Sequence, residues 1–175
     1  MVIKDLTFKK FITGARIQKT VESLASRINV DYKKKTPILL PILNGSFIFA
    51  ADLIKALEVD CRVSFVKVSS YTGTVSSGQL KTLIGHEESV FGQDILIVED
   101  IVDTGLTLQK IVEELKGLGT KSVEVIALLR KQPAREKMIE VKYVGFEIDN
   151  EFVVGYGLDY DGLGRNLEDI YQSVK

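Results

Sequence analysis

A chain of 175 residues suits one domain, 1–175, burying roughly 70% of its unfolded surface by size scaling. Its 23 Lys and Arg against 24 Asp and Glu leave a formal charge of −1, which argues against a global field for nucleic acid or an anionic membrane, so neither partner is expected. The single cysteine, Cys61, excludes an internal disulfide; with no apolar run near the ~18 residues of a membrane span and no signal-peptide core in the first ten residues, a cytoplasmic protein is expected.

In chain order, Ile17, Val21, Leu24, Ala25 and Ile28 fall on one helical face and predict an amphipathic helix over about 15 to 30. Lys33, Lys34 and Lys35 mark an exposed connection. The run from Pro37 to Leu43 is apolar on both faces and reads as a buried strand; Asn44, Gly45 and Ser46 break it before helical spacing resumes at Phe47, Ala50, Ala51, Ile54 and Leu57. Further strands are expected near 61–69, 94–99 and 122–129, with a helix carried by Leu108, Ile111, Val112 and Leu115. Cys61, in an apolar run, reads as a buried small side chain, and the lone His86 as a surface residue rather than a metal ligand. The hydroxyl- and glycine-rich stretch 69–78 reads as a mobile lid, and 143–160, where short β-type runs alternate with glycines, as a subsidiary element over the sheet edge. The alternation implies an α/β fold: a parallel β-sheet core flanked by helices.

The segment 94–107 concentrates the chemistry. Its apolar run, Ile95 to Val98, ends in Glu99 and Asp100, and Asp103, Thr104 and Gly105 then form a tight turn into a helix, whose N-terminal amides favour phosphate. Carboxylates repel phosphate, so Glu99 and Asp100 need other work: a divalent cation or sugar hydroxyls. In an open parallel sheet the turns at 44–46 and 99–105 share one rim, so two anion cradles face one cleft. A sugar with phosphates at both ends and a diol between them, 5-phosphoribosyl-1-pyrophosphate with Mg²⁺, fits that layout.

The run from Val98 to Thr107 resembles the phosphoribosyl-pyrophosphate motif of type I phosphoribosyltransferases, and the remainder is similar to their hypoxanthine-guanine branch. Leu43, Asn44, Gly45 and Ser46 resemble the family's pyrophosphate loop; Ser70 and Tyr71 its mobile loop; Leu128 to Lys131 the strand bearing a purine-binding lysine; and Phe152 to Tyr160 its base pocket, with Arg165 following. The resemblance implies the type I phosphoribosyltransferase fold, with a small hood subdomain from the C-terminal and N-terminal parts of the chain.

It further implies roles. Asp103 would be the general base, accepting the purine N7 proton as N9 attacks the anomeric carbon. Glu99 and Asp100 would face the ribose hydroxyls, and Asp103, Thr104, Gly105, Leu106 and Thr107 would hold the 5-phosphate. Lys131 would donate to the purine 6-oxo group, Phe152 would stack on the ring, and Val153 and Asp159 would meet the guanine amine. Arg165 would touch pyrophosphate, Glu99 and Asp100 would hold Mg²⁺, and Asp159 would hold a second Mg²⁺ through water. Asn44 and Ser46 stand where relatives carry Lys or a second Gly, Leu106 replaces a lysine found in some, and Leu163 and Gly164 replace an aromatic before Arg165. The expected protein is a purine-salvage enzyme making IMP or GMP and pyrophosphate, with small-molecule substrates and a homodimeric or homotetrameric state.

Rival readings have weaker support in the residues. A receiver domain would place the acidic run near its own N-terminus, and a nucleotide triphosphatase would need a Gly-x-x-x-x-Gly-Lys-Ser/Thr segment, which is absent. A nucleotide-sensing regulator would not require a carboxylate at 103 for proton transfer, and a xanthine-specific enzyme remains the nearest catalytic alternative.

Overall fold

The computed structural model describes residues 1–67, 89–132 and 139–174. The lid expected over 69–78, with Ser70 and Tyr71, and His86 all lie outside the described residues.

In chain order the elements are β1 (Val2–Ile3), β2 (Leu6–Ile12), α1 (Gly14–Asp31), β3 (Ile38–Leu43), α2 (Phe47–Ala56), β4 (Arg62–Val63), β5 (Val66–Lys67), β6 (Asp94–Val102), α3 (Leu106–Gly117), β7 (Ser122–Lys131), β8 (Tyr143–Ile148), β9 (Val153–Val154) and β10 (Ile170–Ser173). Among the described residues the main sheet has the order β4-β3-β6-β7-β8, with β5 beside β3, and every pairing is parallel. Period-two alternation divides its side chains between two cores. Leu39, Leu96, Val98, Ile126 and Leu128 meet Ile17, Val21, Leu24 and Ile28 of α1 and Phe49 and Leu53 of α2. Their sheet neighbours Ile38, Leu40, Ile95, Ile97, Val125 and Ala127 point the other way, onto Leu108, Ile111, Val112 and Leu115 of α3. Continuous apolar runs therefore mark β3 and β6 because both faces are covered.

A second, antiparallel sheet of order β1-β2-β10-β9 joins the two ends of the chain into the hood. Its small core contains Ile3, Phe8 and Val154. Asp169, just before β10, ties it to the main body: its Oδ1 accepts the Gly14 N–H at 2.8 Å at the start of α1. Lys10 Nζ approaches the other carboxylate oxygen at 2.5 Å, so the pair holds Asp169 below the usual carboxylate range. A second tie runs through Asp52 of α2, whose Oδ2 accepts from the Tyr156 hydroxyl at 2.6 Å and from Gln18 Nε2 of α1 at 2.8 Å.

Three expectations change. The stretch 143–160 is not one subsidiary element, because β8 extends the main sheet in parallel register with β7 and only the residues after it turn into the hood. A Cβ on Gly145 would overlap the Leu128 carbonyl, so glycine admits β8 this close to β7. The strand expected near 61–69 is two short pieces, β4 and β5, separated at Ser64 and Phe65, and Cys61 precedes them half-buried, its thiol pushed up by burial and by Asp60. Finally, β6 runs on to Val102, because its ladder with β7 continues to the Val102–Arg130 pair, so Glu99 and Asp100 lie inside the strand and not at its end.

Candidate active site

The carboxyl ends of β3, β6 and β7 converge on one rim of the sheet. After β6, Gly105 adopts φ +73°, a left-handed conformation cheap only for glycine, and turns the chain into α3. The first bond of α3 runs from the Gln109 N–H to the Gly105 carbonyl at 2.8 Å, so the amides of Leu106, Thr107 and Leu108 precede it and lack intrahelical acceptors. A hollow of about 160 Å³ lies there, lined by Glu99, Ile101, Val102, Asp103, Thr104, Gly105, Thr107 and Leu108. Free amides at the positive end of a helix suit an anion. Leu106 is 59% exposed and does not line the hollow; Ile101 and Val102, which do, escaped the sequence reading because as apolar strand residues they read as core.

Glu99 and Asp100 lie half-buried on the floor of this rim. Burial pushes the Glu99 carboxyl well above the usual range, and the adjacent Asp100 adds to the rise. Asp100 is raised as well, chiefly by burial, although its Oδ1 accepts the Ile101 N–H at 2.8 Å and Arg165 pulls the other way. Neither carboxylate makes an ion pair with a described cationic side chain. Two buried like charges are costly unless a cation or hydroxyl donors compensate them.

That cost sets a stability test. Because the folded pKa of Glu99 exceeds the unfolded value near about 4.3, ionised Glu99 costs the folded state nothing below that value, progressively more as pH rises toward the folded pKa, and a constant amount above it. Without divalent cations or substrates, Glu99→Gln should therefore melt higher than the wild type at pH 8, with the gap closing toward pH 4. Each kcal/mol corresponds to roughly 2–4 °C at this chain length. Calorimetry at the two pH values checks this, and a gap that grows toward pH 4 would contradict the burial of an unpaired charge.

At the end of β3, Leu43, Asn44, Gly45 and Ser46 form the second cradle. Ser46 is fully buried and its Oγ donates to the Ile42 carbonyl at 2.6 Å, which anchors the loop beneath α2. The peptide between Leu43 and Asn44 is cis. Gly45 is clamped on both sides: a Cβ there would overlap the Asp100 carboxylate, while a Cβ on Gly157 would overlap the Gly45 carbonyl oxygen. The hood therefore sits directly on this loop. Within the hood Arg165 braces Gly157, since its Nη1 donates to the Gly157 carbonyl at 2.7 Å and its own carbonyl accepts the Gly157 N–H at 2.9 Å. Arg165 Nη2 also pairs with Asp159 Oδ1 at 2.5 Å, and both charges act electrostatically on Asp100.

Asp159 is thus engaged by arginine and does not close a cage with Glu99 and Asp100; among the described residues no three Asp, Glu, His or Cys side chains converge as a metal site. Glu99 and Asp100, which are unpaired, remain suited to an ion whose other ligands come from elsewhere, as is usual for Mg²⁺ with phosphates.

Asp103 and Lys131, from the ends of β6 and β7, meet at 2.8 Å, Asp103 59% exposed at its side chain and Lys131 only 14%. Lys131 Nζ also donates to Asn150 Oδ1 at 3.2 Å, a contact absent from the sequence reading. Beyond Asn150, Phe152 is 43% exposed and rests on hood aromatics, with its ring centroid 5.6 Å from Tyr160 at 85° and 6.1 Å from Phe8. Ser173 N–H donates to the Phe152 carbonyl at 2.9 Å, so the neighbouring Val153–Gln172 pair is the non-hydrogen-bonded one. The Val153 carbonyl therefore turns away from β10, toward the open edge of the hood sheet.

The Phosphoribosyl transferase domain family matches residues 12–161. The hypoxanthine-guanine phosphoribosyltransferase of Bacillus subtilis (strain 168) is 42% identical over 160 residues, covering 91% of this chain and 89% of that one. Among solved structures, the hypoxanthine-guanine phosphoribosyltransferase of Bacillus anthracis, with a HEPES molecule in its active site, superposes with a TM-score of 0.86 at 34% identity, covering 97% of this chain and 98% of that one. A variant of the Trypanosoma cruzi hypoxanthine phosphoribosyltransferase, complexed with the product IMP, gives 0.87 at 36% identity, covering 99% and 93%. This chain belongs to the phosphoribosyl transferase family, among its hypoxanthine-guanine phosphoribosyltransferases.

Proposed function

We infer that this enzyme transfers the phosphoribosyl group of 5-phosphoribosyl-1-pyrophosphate to hypoxanthine or guanine, giving IMP or GMP and pyrophosphate in purine salvage. The observation that carries the reading is the Asp103–Lys131 pair, an acceptor and a donor 2.8 Å apart at one rim. A 6-oxopurine presents an N7–H donor beside its O6 acceptor, and the pair offers the complementary groups side by side. Adenine would bring an amino group to the ammonium of Lys131 instead.

In this reading the N-terminal amides of α3, with Thr104 and Thr107, hold the 5-phosphate. Glu99 and Asp100 accept hydrogen bonds from the ribose hydroxyls, and their unpaired charge suits a sugar that gains oxocarbenium character. The loop from Leu43 to Ser46 and Arg165 receive pyrophosphate as the glycosidic C–O bond breaks and N9 attacks. Asp103 takes the N7 proton, and Lys131 fixes O6. Phe152 stacks on the base, with the Val153 carbonyl and Asp159 meeting the guanine amine.

Glu99 and Asp100, together with substrate oxygens, would hold Mg²⁺, and Asp159 would reach a second ion through water; when bound, the metal neutralises charge on the departing pyrophosphate. Release of pyrophosphate from phosphoribosyl pyrophosphate and hypoxanthine should require added Mg²⁺ and stop on chelation. Full turnover in excess chelator would remove the metal from the scheme. A homodimer or homotetramer is the association state that the resemblance implies. Among the described residues no helix is long and apolar enough to cross a membrane.

A further inference from the structure

We propose that Asn150 is a positioning residue for purine recognition: it aims Lys131 and holds that aim while Asp103 changes charge. The inference rests on the reading of Lys131 as the donor to the 6-oxo group. It starts from the contact between Lys131 Nζ and Asn150 Oδ1 at 3.2 Å, beside the 2.8 Å contact to Asp103 Oδ2. An ammonium has three N–H donors and no acceptor, so the side-chain amide must present its oxygen to it. With two donors committed to groups on different segments, the tetrahedral nitrogen has one direction left for the base. Asp103 follows β6, Lys131 ends β7 and Asn150 follows β8, so three neighbouring strand ends meet at this nitrogen.

The neutrality of Asn150 gives the contact its use. As Asp103 accepts the purine proton, its carboxylate loses the charge that attracts Lys131. An ammonium held by Asp103 alone would then be free to swing on its flexible stem. The Asn150 oxygen does not titrate, so it keeps Lys131 on O6 through that step. Asn150 also lies two residues before Phe152, so the same contact fixes the loop carrying the stacking ring relative to the donor that meets the ring's edge.

The test is a double-mutant cycle in the full enzyme, with purine KM, phosphoribosyl-pyrophosphate KM and kcat measured for wild type, Asn150→Ala, Asn150→Asp, Lys131→Ala and the Asn150→Ala/Lys131→Ala double variant. Asn150→Ala should raise the hypoxanthine KM about fivefold or more, with phosphoribosyl-pyrophosphate KM and melting temperature close to wild type, because it removes a hydrogen bond to a charged group. Asn150→Asp, which keeps an acceptor oxygen in the same place but adds a charge that can itself take a proton, should restore purine KM to within about threefold while leaving kcat below wild type. In the Lys131→Ala background, Asn150→Ala should add nothing. An undiminished effect in that background, or no change in purine KM for Asn150→Ala, would overturn the positioning role while leaving Lys131 in place. A Lys131→Ala variant with normal purine KM would instead refute the reading of Lys131, and the proposal with it.

Discussion

Asp103→Ala should lower kcat roughly 10²-fold or more, the loss expected for a positioned general base. The effect has two sources that a second variant separates. Asp103 is both the proposed proton acceptor and the ion-pair partner of Lys131 at 2.8 Å, so alanine removes a base and one of the two side-chain contacts of Lys131. Asp103→Asn keeps an oxygen for Lys131 but cannot take the N7 proton. If proton transfer is the main role, asparagine and alanine should fall together in kcat, while only alanine should weaken purine binding. A kcat for Asp103→Asn within a few-fold of wild type would leave Asp103 as an anchor for Lys131 and not a base.

The second large effect is expected from Gly45→Ala. A single methyl group there would enter the space of the Asp100 carboxylate, and it cannot retreat upward because Gly157 already lies against the Gly45 carbonyl. Either Asp100 leaves the ribose side of the site or the pyrophosphate loop lifts and carries the hood with it. Both outcomes damage the same substrate, so phosphoribosyl-pyrophosphate KM should rise and kcat fall, with the ratio kcat/KM down by about 10²-fold, an ångström-scale misplacement being enough. Overpacking of this kind also costs typically 1–3 kcal/mol, which a melting curve would show. Gly157→Ala meets the same clamp from the hood side and adds the strain of a side chain at φ +102°. An alanine at 45 that left phosphoribosyl-pyrophosphate kinetics unchanged would show that the clamp does not shape the site.

These positions also show which parts of the structure could be read in the residues. The main sheet was legible because its strands announce themselves locally: Pro37 to Leu43 and Ile95 to Val98 are apolar on both faces, and α1, α2 and α3 carry their apolar stripes at helical spacing. The hood was not legible from pattern alone, since β2 pairs with β10 across almost the whole chain and no local spacing encodes that register. Resemblance supplied it instead. The stretch from Tyr143 misled because Val144, Gly145 and Phe146 read equally well as a glycine-broken edge element, and only the packing of Gly145 against Leu128 brings it into the main sheet.

At the site the same division holds. Acids beside a Gly turn before a helix pointed to the β6 to α3 segment, but their burial did not show, because it depends on β7 continuing alongside as far as Arg130. The partnership of Asp159 with Arg165 and the three-way meeting of Asp103, Lys131 and Asn150 depend on side-chain directions at separate strand and loop ends. Asn150 carried no signal of its own. A neutral side chain in the polar turn Asp149 to Glu151 looks like any turn asparagine until Lys131 is placed beside it.

The most direct measurement is kcat/KM with phosphoribosyl pyrophosphate and Mg²⁺ for hypoxanthine, guanine, xanthine and adenine under one set of conditions. Hypoxanthine or guanine should be the best substrate, with adenine at least about 10³-fold poorer because a site built to hydrogen-bond an oxo group rejects an analogue that leaves its buried donor unpaired. Absence of turnover with both hypoxanthine and guanine, or turnover with adenine alone, would contradict the account.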